Sequence, residues 1–142
     1  NLGNVKKINE TIKNRDFWMP FAASILDSHK SKYFFMKKTN LHNYKYMTNC
    51  LNTKSEFISK IAAAVHPYDG TCRPQIVSSA DNKFYYNLIK SFGLKTGTYA
   101  LMNTSFNIHG YPIINNESQA LEIFKNSNLD ALILGDFLIS KY

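Results

Sequence analysis

The sequence has little cysteine and no long apolar segment. Cys50 and Cys72 are its only cysteines, which favours free thiols in a reducing compartment, with a single disulfide as the alternative. The longest apolar run, residues 129–139, is interrupted by two aspartates, whereas a membrane span needs roughly 18 apolar residues. No signal peptide is visible, so we expect a cytoplasmic protein without a membrane partner. Because the first residue is not methionine, we expect residues upstream to be missing.

Several familiar motifs are also missing. The sequence contains neither the phosphate-binding pattern GxxxxGK[ST] nor the dinucleotide pattern GxGxxG. It has no GxSxG nucleophile elbow, so the pairing of Ser105 with His109 is weak evidence for a serine hydrolase. No internal repeat or low-complexity segment is present.

Acidic residues are outnumbered by basic ones. The chain has 17 Lys and Arg against 10 Asp and Glu, a net charge of +7 at pH 7. This balance favours an anionic partner such as a nucleotide, phosphate or nucleic acid, although lysines that serve solubility produce the same balance. A hydrophobic content of 44% excludes a disordered chain, and 142 residues correspond to one domain.

The apolar pattern predicts an α/β (α+β) fold with a mixed sheet and helices packed on it. Helices are predicted over residues 4–14, over residues 82–92, and from Asn116 or Ser118 to Lys125. The second is expected to be capped by Asp81 or Asn82 and closed by Gly93, with a buried stripe of Phe84, Leu88, Ile89 and Phe92. Strands are predicted over residues 22–26, 98–102, 111–114, 129–134 and 136–140. The strand 129–134 is expected to be buried, and a turn at Gly135 is expected to separate it from the last strand. Residues 58–77 are predicted to form a β-hairpin that turns at Asp69-Gly70. Residues 37–56 are predicted to be irregular, with a short strand over 44–47.

The loop after the predicted strand 98–102 is the leading candidate for a ligand site. Five hydrogen-bonding residues occur there within seven positions: Asn103, Thr104, Ser105, Asn107 and His109. Open α/β sheets usually place ligands at the ends of their strands. Since residues two apart in an extended chain point the same way, Ser105 and Asn107 are predicted to face one pocket, with Asn103 behind them.

Two cations follow the first predicted helix. If the chain is extended at Asn14, Lys13 and Arg15 converge and form a clamp for phosphate or carboxylate. The alternative is that both are solvated cations at a helix C-terminus, where the helix dipole favours them.

The segment 66–75 carries a second group of candidates. Arg73 and Gln75 lie two apart and share one face of a predicted strand, with Pro74 indicating an edge or a bulge. His66 lies three residues before an aspartate and six before Cys72, which suggests a metal site. A loop histidine bonded to its neighbours is the favoured interpretation, because zinc sites generally use paired Cys/His knuckles.

These motifs together resemble a known family, the O-carbamoyltransferases of nodulation-factor and antibiotic biosynthesis (the NodU/CmcH type). The chain is similar to their C-terminal domain. The stretches that carry the resemblance are residues 8–9, 13–22 (KNRDFWMPFA), 64–75 (AVHPYDGTCRPQ), 96–97, 103–110 (NTSFNIHG) and 129–132 (LDAL). Several multi-residue motifs in the same order make the resemblance specific.

The resemblance implies a fold and a reaction. It implies that residues 1–142 form one YrdC-like domain, a twisted mixed sheet with flanking helices around a basic cavity. The family's N-terminal domain, which has an actin-like fold, is absent from this chain. YrdC-like domains bind ATP, with the Mg²⁺ that ATP carries, and a carbamoyl donor, here carbamoyl phosphate. They form a carbamoyl-adenylate, which the N-terminal domain of the same full-length protein transfers to an acceptor hydroxyl.

The resemblance also implies roles for individual residues. Lys13-x-Arg15 and Ser105-x-Asn107 match the YrdC-type tetrad, which favours the clamp over the solvated pair. The implied catalytic residues are Lys13, Arg15, Arg73, Ser105 and Asn107. The implied substrate- and nucleotide-binding residues are Lys13, Arg15, His66, Arg73, Gln75, Asn103, Thr104, Ser105, Asn107 and His109, and no residue is implied as a dedicated metal ligand.

The sequence departs from the family at two positions. Ala23 stands where members usually have proline, and Tyr111 stands where they have glutamate in Gly-Glu-Pro. Two other functions therefore stay open. One is a YrdC-like module that binds RNA or another nucleic acid through its basic surface. The other is a non-catalytic regulatory or interaction domain.

Overall fold

A computed structural model describes residues 2–14, 16, 19–36 and 41–141. Their elements run in the order α1 (Leu2–Ile8), a π-helical turn (Asn9–Lys13), β1 (Ala22–Leu26), a 3₁₀ turn (Asp27–His29), α2 (Lys30–Tyr33), a 3₁₀ turn (Leu41–Tyr44), β2 (Leu51–Asn52), α3 (Ser55–Ile58), a 3₁₀ segment (Ser59–Ala64), β3 (Thr71–Cys72), β4 (Pro74–Val77), α4 (Lys83–Thr96), β5 (Ala100–Asn103), α5 (Glu117–Asn126), β6 (Ala131–Leu134) and β7 (Phe137–Ser140). The mixed α/β class predicted from the sequence is confirmed.

The described residues belong to two compact units. One unit spans Trp18–Thr104 together with Asn1–Leu2, and the other comprises Gly3–Phe17 and Ser105–Tyr142. The assignment of residues 1–142 to one YrdC-like domain stays a prediction. No helix in the described ranges is long and apolar enough to cross a membrane.

The first unit is built on a three-stranded mixed sheet of order β4-β1-β5. The central strand β1 pairs in parallel with β4 and antiparallel with β5, and all five of its residues are buried. Successive side chains on a strand point to opposite faces. Accordingly, Ala23 and Ile25 join one apolar cluster and Leu26 joins another. The strands predicted over 22–26 and 98–102 are confirmed, the second one starting two residues later and ending one residue later than predicted.

Helix α4 covers the face of the sheet that Leu26 shares. The Asn82 side chain caps it by accepting a hydrogen bond from the N–H of Tyr85 at 2.9 Å, as the sequence predicts for a helix that starts at Asp81 or Asn82. Its predicted end at Gly93 is wrong. The helix continues to Thr96 and closes at Gly97, whose φ of 74° suits glycine. Gly93 serves packing instead, because a Cβ there would lie 2.1 Å from the Tyr99 ring.

The buried stripe predicted for α4 is also wrong in large part. Ile89 is fully buried, but Phe84, Leu88 and Phe92 are 70%, 43% and 39% exposed. The helix packs on the sheet mainly through Ile89 and the two tyrosines Tyr85 and Tyr86. Its contact face is therefore rotated away from the largest apolar side chains, which periodicity alone had assigned to the core.

The β-hairpin predicted over residues 58–77 is wrong. Residues 55–64 are helical, and their apolar residues Ile58, Ile61 and Ala64 recur at helical spacing. The two arms are joined by the bridge from Val65 to Cys72 and by two bonds of His66, whose N–H donates to the Thr71 carbonyl and whose carbonyl accepts from the Gly70 N–H. Strand β3 pairs with β2, whereas β4 turns away to join β1 in parallel. Long-range pairing thus overrides the local turn signal at Asp69-Gly70.

Both cysteines are free thiols. In the β2–β3 pair, Leu51 lies opposite Cys72, whereas Cys50 precedes β2 and is exposed. Cys72 is 2% exposed, and burial raises the pKa of its thiol to about 12. The disulfide alternative does not fit this arrangement. A strand predicted over residues 44–47 is wrong as well, because Leu41–Tyr44 forms a 3₁₀ turn.

The second unit packs a helix against a β-hairpin. Strands β6 and β7 pair antiparallel around Gly135, whose φ is 59°. Ala120 and Phe124 of α5 pack with Leu132 in the core. The two strands and α5, capped by Asn116, are confirmed. Strand β6 alternates between exposed and buried residues, so its expected complete burial is wrong.

Two further segments of this unit bear on the predictions. The helix predicted over residues 4–14 is present as α1 followed by the π-helical turn, starting two residues earlier. No strand forms over residues 111–114. Those residues instead form a loop, which is closed by a hydrogen bond from the Ile114 N–H to the Phe106 carbonyl at 3.3 Å.

Candidate functional site

A buried lysine ends the π-helical turn of the second unit. Lys13 is 3% exposed. The turn stops at Asn14, which adopts a left-handed conformation with φ of 43° and donates its N–H to the Asn9 carbonyl at 2.7 Å. Asparagine tolerates this conformation better than most residues. The chain at Asn14 is therefore left-handed rather than extended, contrary to the condition set for convergence with Arg15.

Lys13 meets the serine and the asparagine of the polar loop. Its Nζ donates to Ser105 Oγ at 2.9 Å and to Asn107 Oδ1 at 2.6 Å. Ser105 Oγ in turn donates to Asn107 Oδ1 at 2.6 Å. We call these three residues the Lys13 cluster. Ser105 and Asn107 converge as their two-residue spacing predicts, and 92 residues separate Lys13 from Ser105 in the chain.

The Lys13 cluster is anchored to the loop that follows it. Asn107 Nδ2 donates to the Tyr111 carbonyl at 2.6 Å, so both ends of the Asn107 amide are held. Ser105 and Asn107 are both neutral. A lysine held at low exposure beside two fixed dipoles is suited to binding a phosphate or carboxylate oxygen.

The other member of the predicted clamp is Arg15. Arg15 lies outside the described residues, as do Phe17 and Trp18. The convergence of Lys13 with Arg15 stays a prediction.

A second polar group lies on the sheet of the first unit. Ser24 on β1, Gln75 on β4 and Asn103 on β5 share one face, because Ser24 pairs with both Gln75 and Leu101 and Asn103 lies two residues beyond Leu101. Ser24 Oγ and Asn103 Nδ2 both donate to Gln75 Oε1, at 2.7 and 3.0 Å. We call these residues the Ser24 network.

Ser24 is the member that the sequence analysis missed. It is fully buried in the apolar strand β1. A lone hydroxyl residue between Ala23 and Ile25 was the available signal, since a buried hydroxyl requires a partner. Its partner became visible only with the strand register.

The remaining predicted residues are distributed over both units. In the first, Arg73 is exposed between β3 and β4, and Thr104 is half-buried directly after β5. In the second, His109 is exposed on the polar loop. That Arg73 and Gln75 share one face stays a prediction.

His66 belongs to a tight turn of the first unit. Its Nδ1 lies 3.3 Å from Asp69 Oδ1 without hydrogen-bond geometry. Asp69 Oδ1 accepts from the N–H and the hydroxyl of Thr71, and these bonds hold the pKa of the Asp69 carboxyl below its usual range. Among the residues that the structure describes, no three His, Cys, Asp or Glu side chains lie close enough together to hold a metal ion.

The second unit also contains a cavity of about 560 Å³. It lies between the loop 108–115 and helix α5, and its lining includes Ile108, Tyr111, Ile113 and Glu122. Tyr111, the residue that replaces the family's glutamate, is 69% exposed on its wall. Its carbonyl is the atom that Asn107 holds, so the wall of the cavity is connected to the Lys13 cluster.

Comparison with known proteins gives a consistent result. A family model described as carbamoyltransferase C-terminus matches residues 1–141. An uncharacterised protein of Methanocaldococcus jannaschii is 36% identical over 135 residues, which is 95% of this chain and 21% of that protein. The nodulation protein NolNO of Sinorhizobium fredii is 32% identical, with 97% of this chain and 20% of NolNO covered.

A third relative extends the same picture. The nodulation protein NolO of Bradyrhizobium diazoefficiens is 33% identical over 138 residues, covering 97% of this chain and 25% of NolO. The chain therefore spans about a fifth to a quarter of the length of these curated relatives. The family resemblance seen in the sequence motifs is confirmed. Because the family model matches all but the last of its 142 residues, this chain belongs to the carbamoyltransferase C-terminus family.

Proposed function

We propose that this chain is the part of a carbamoyltransferase that forms a carbamoyl-adenylate. It binds ATP, with the Mg²⁺ that ATP carries, and carbamoyl phosphate. Since the chain covers only a fifth to a quarter of its relatives, transfer to an acceptor hydroxyl is assigned to an N-terminal domain of the full-length protein. Family membership and the geometry of the Lys13 cluster support this proposal.

The proposed reaction has two balanced steps. Water first cleaves carbamoyl phosphate into carbamate and inorganic phosphate. A carbamate oxygen then attacks the α-phosphorus of ATP, so that a bond from that oxygen to phosphorus forms. The bond from the α-phosphorus to the bridging oxygen breaks, its electron pair leaves with pyrophosphate, and carbamoyl-AMP remains. Negative charge shifts onto phosphate oxygens in this step, and preorganised cations and hydrogen-bond donors stabilise that shift.

The observation that carries the proposal is the buried Lys13 ammonium beside Ser105 and Asn107. Lys13 Nζ lies 2.9 Å from the Ser105 hydroxyl and 2.6 Å from the Asn107 amide oxygen. These contacts fix the direction of the cation before any ligand arrives, so little reorganisation is needed in the transition state. Ser105 and Asn107 are proposed to orient phosphate and carbamoyl oxygens. Arg15 and Arg73 are proposed to add positive charge.

Exchange of labelled pyrophosphate into ATP tests the proposal. We expect the chain to incorporate label only when carbamoyl phosphate is present. Methionine is unbranched like lysine, one heavy atom shorter and uncharged, so Lys13→Met should reduce exchange by about 100-fold or more. The control is Lys125→Met, an exposed lysine near the end of α5 in the same unit, which should leave exchange unchanged.

Two results would contradict the proposal. One is the absence of both exchange and calorimetrically detectable ATP binding in the wild-type chain and in a full-length protein that contains it. The other is equal exchange by wild type and Lys13→Met. Melting curves followed by circular dichroism separate loss of the site from loss of the fold.

A further inference from the structure

Within the described part of the chain, one donor group and one acceptor atom of the Ser24 network have no hydrogen-bond partner. Gln75 Oε1 accepts two hydrogen bonds, from Ser24 Oγ and from Asn103 Nδ2, which occupies both of its lone pairs. Asn103 Nδ2 also lies 3.8 Å from Met47 Sδ. A thioether sulfur accepts but cannot donate, so Met47 and Gln75 together take both N–H groups of Asn103.

These bonds, together with the contact of Asn103 Nδ2 with the Met47 sulfur, define which end of each amide faces the network. The NH₂ group of Gln75 and the Oδ1 of Asn103 are the ends that point away from the network. Among the described residues, neither Gln75 Nε2 nor Asn103 Oδ1 has a hydrogen-bond partner. Both side chains are partly exposed. The sheet therefore presents the NH₂ donors of Gln75 next to the acceptor Asn103 Oδ1, on two amides that are joined by a hydrogen bond.

We infer that Gln75 and Asn103 bind the carbamoyl group of the substrate through its oxygen and its NH₂ group. The carbamoyl oxygen accepts from Gln75 Nε2, and the carbamoyl NH₂ donates to Asn103 Oδ1. This inference rests on the proposed function for the identity of the ligand, and it adds the residues that select it. A cation such as Lys13 binds any phosphate and cannot distinguish NH₂ from CH₃. An amide oxygen can, because it loses its only partner when the NH₂ is replaced.

Ser24 is a positioning residue in this arrangement. It is fully buried, and its hydroxyl donates to Gln75 Oε1 at 2.7 Å. That bond favours the rotamer in which Gln75 presents its NH₂ rather than its oxygen to a ligand. Without it, Gln75 Oε1 keeps only the bond from Asn103, and the amide gains freedom to rotate.

A pair of nearly isosteric ligands tests the inference. Acetyl phosphate differs from carbamoyl phosphate in having CH₃ in place of NH₂. We expect the wild-type chain to bind fresh carbamoyl phosphate about tenfold more tightly than acetyl phosphate in calorimetric titrations. Asn103→Leu should bring the ratio of the two dissociation constants close to one. The control Asn128→Leu, at an exposed position, should keep the ratio. Ser24→Ala serves as a second variant and should lower the ratio several-fold.

Each result has a separate meaning. A wild-type ratio near one, or an unchanged ratio in Asn103→Leu, overturns the inference and leaves the proposed function standing wherever pyrophosphate exchange is observed. Failure of both the wild-type chain and the full-length protein to bind either phosphate overturns the inference, and the proposed function falls with it only where pyrophosphate exchange and ATP binding are absent as well. Adenine also carries an amino donor beside a ring acceptor, so ATP and inosine triphosphate are titrated in parallel. If Asn103→Leu abolishes a preference for ATP while keeping the preference for carbamoyl phosphate, the pair binds adenine and the inference is wrong.

Discussion

The Lys13 cluster and the Ser24 network differ in the elements that hold them and in their charge. The Lys13 cluster joins the end of a π-helical turn to a loop, and its central group is charged. The Ser24 network joins three adjacent strands, and all its members are neutral. The first is suited to binding anions and the second to distinguishing neutral donors from acceptors. In this protein a turn and a loop position the charged group, whereas the register of three strands positions the neutral side chains that would select a ligand by its hydrogen bonds.

An amide-to-acid exchange in the Lys13 cluster should have the largest effect. Asn107→Asp puts a carboxylate 2.6 Å from Lys13 Nζ and removes the donor to the Tyr111 carbonyl. The new ion pair neutralises the cation, so affinity for ATP should fall about 100-fold, measured by calorimetry. The parallel exchange Gln75→Glu in the neutral network should reduce ATP affinity less. Equal losses in the two variants would erase the distinction between the charged and the neutral group.

Gly93→Ala should disturb the strands rather than the charge. The added Cβ would lie 2.1 Å from the Tyr99 ring, and α4 packs on β1 and β5 through that side of the helix. Forced repacking should cost about 2 kcal/mol of unfolding free energy, despite alanine's better helix propensity. Chemical denaturation measures this loss. The double variant Gly93→Ala/Tyr99→Leu should recover part of it, and no recovery would mean that the contact with Tyr99 is not the cause.

Ser24→Ala should have a smaller effect on stability than on selectivity. Removing a buried hydrogen-bond donor while Gln75 Oε1 keeps its bond from Asn103 should cost about 1 kcal/mol. Urea denaturation checks this value. A loss of stability with an unchanged preference for carbamoyl over acetyl phosphate would show that Ser24 only fills space.

The smallest effect concerns the turn of segment 66–75. The pKa of Asp69 is lowered mainly by the backbone and side-chain bonds from Thr71. A carboxyl with a depressed folded-state pKa stabilises the protein above its unfolded pKa of 3.8, and this contribution is lost as pH falls through the lower folded value. Asp69→Asn can keep the bonds from Thr71 without titrating. The melting temperature of the variant should therefore depend less on pH below about 4 than that of wild type. Identical pH profiles would show that the carboxylate charge contributes nothing there.

Helix caps and tight turns could be predicted from the sequence, because each depends on interactions between neighbouring residues. The caps at Asn82 and Asn116 and the turn at Gly135 depend on a few neighbouring residues, and all three are present. The predicted hairpin over residues 58–77 failed because Asp69-Gly70 specifies a turn but not the strands that pair beyond it. The stripe of α4 failed because periodicity locates an apolar face without telling which part of it meets the sheet.

The candidate site divides in the same way. Two-residue spacing was sufficient to predict that Ser105 and Asn107 converge, and the family motif added Lys13. The sequence by itself determined the family, the mixed α/β class and this polar loop, because each is written in contiguous residues. Only the tertiary structure decided that Ser24 bonds to Gln75 and that Asn103 completes the network, since those contacts depend on the register of three strands that are 51 and 28 residues apart in the chain. A shift of one residue in that register would turn these side chains to the opposite face.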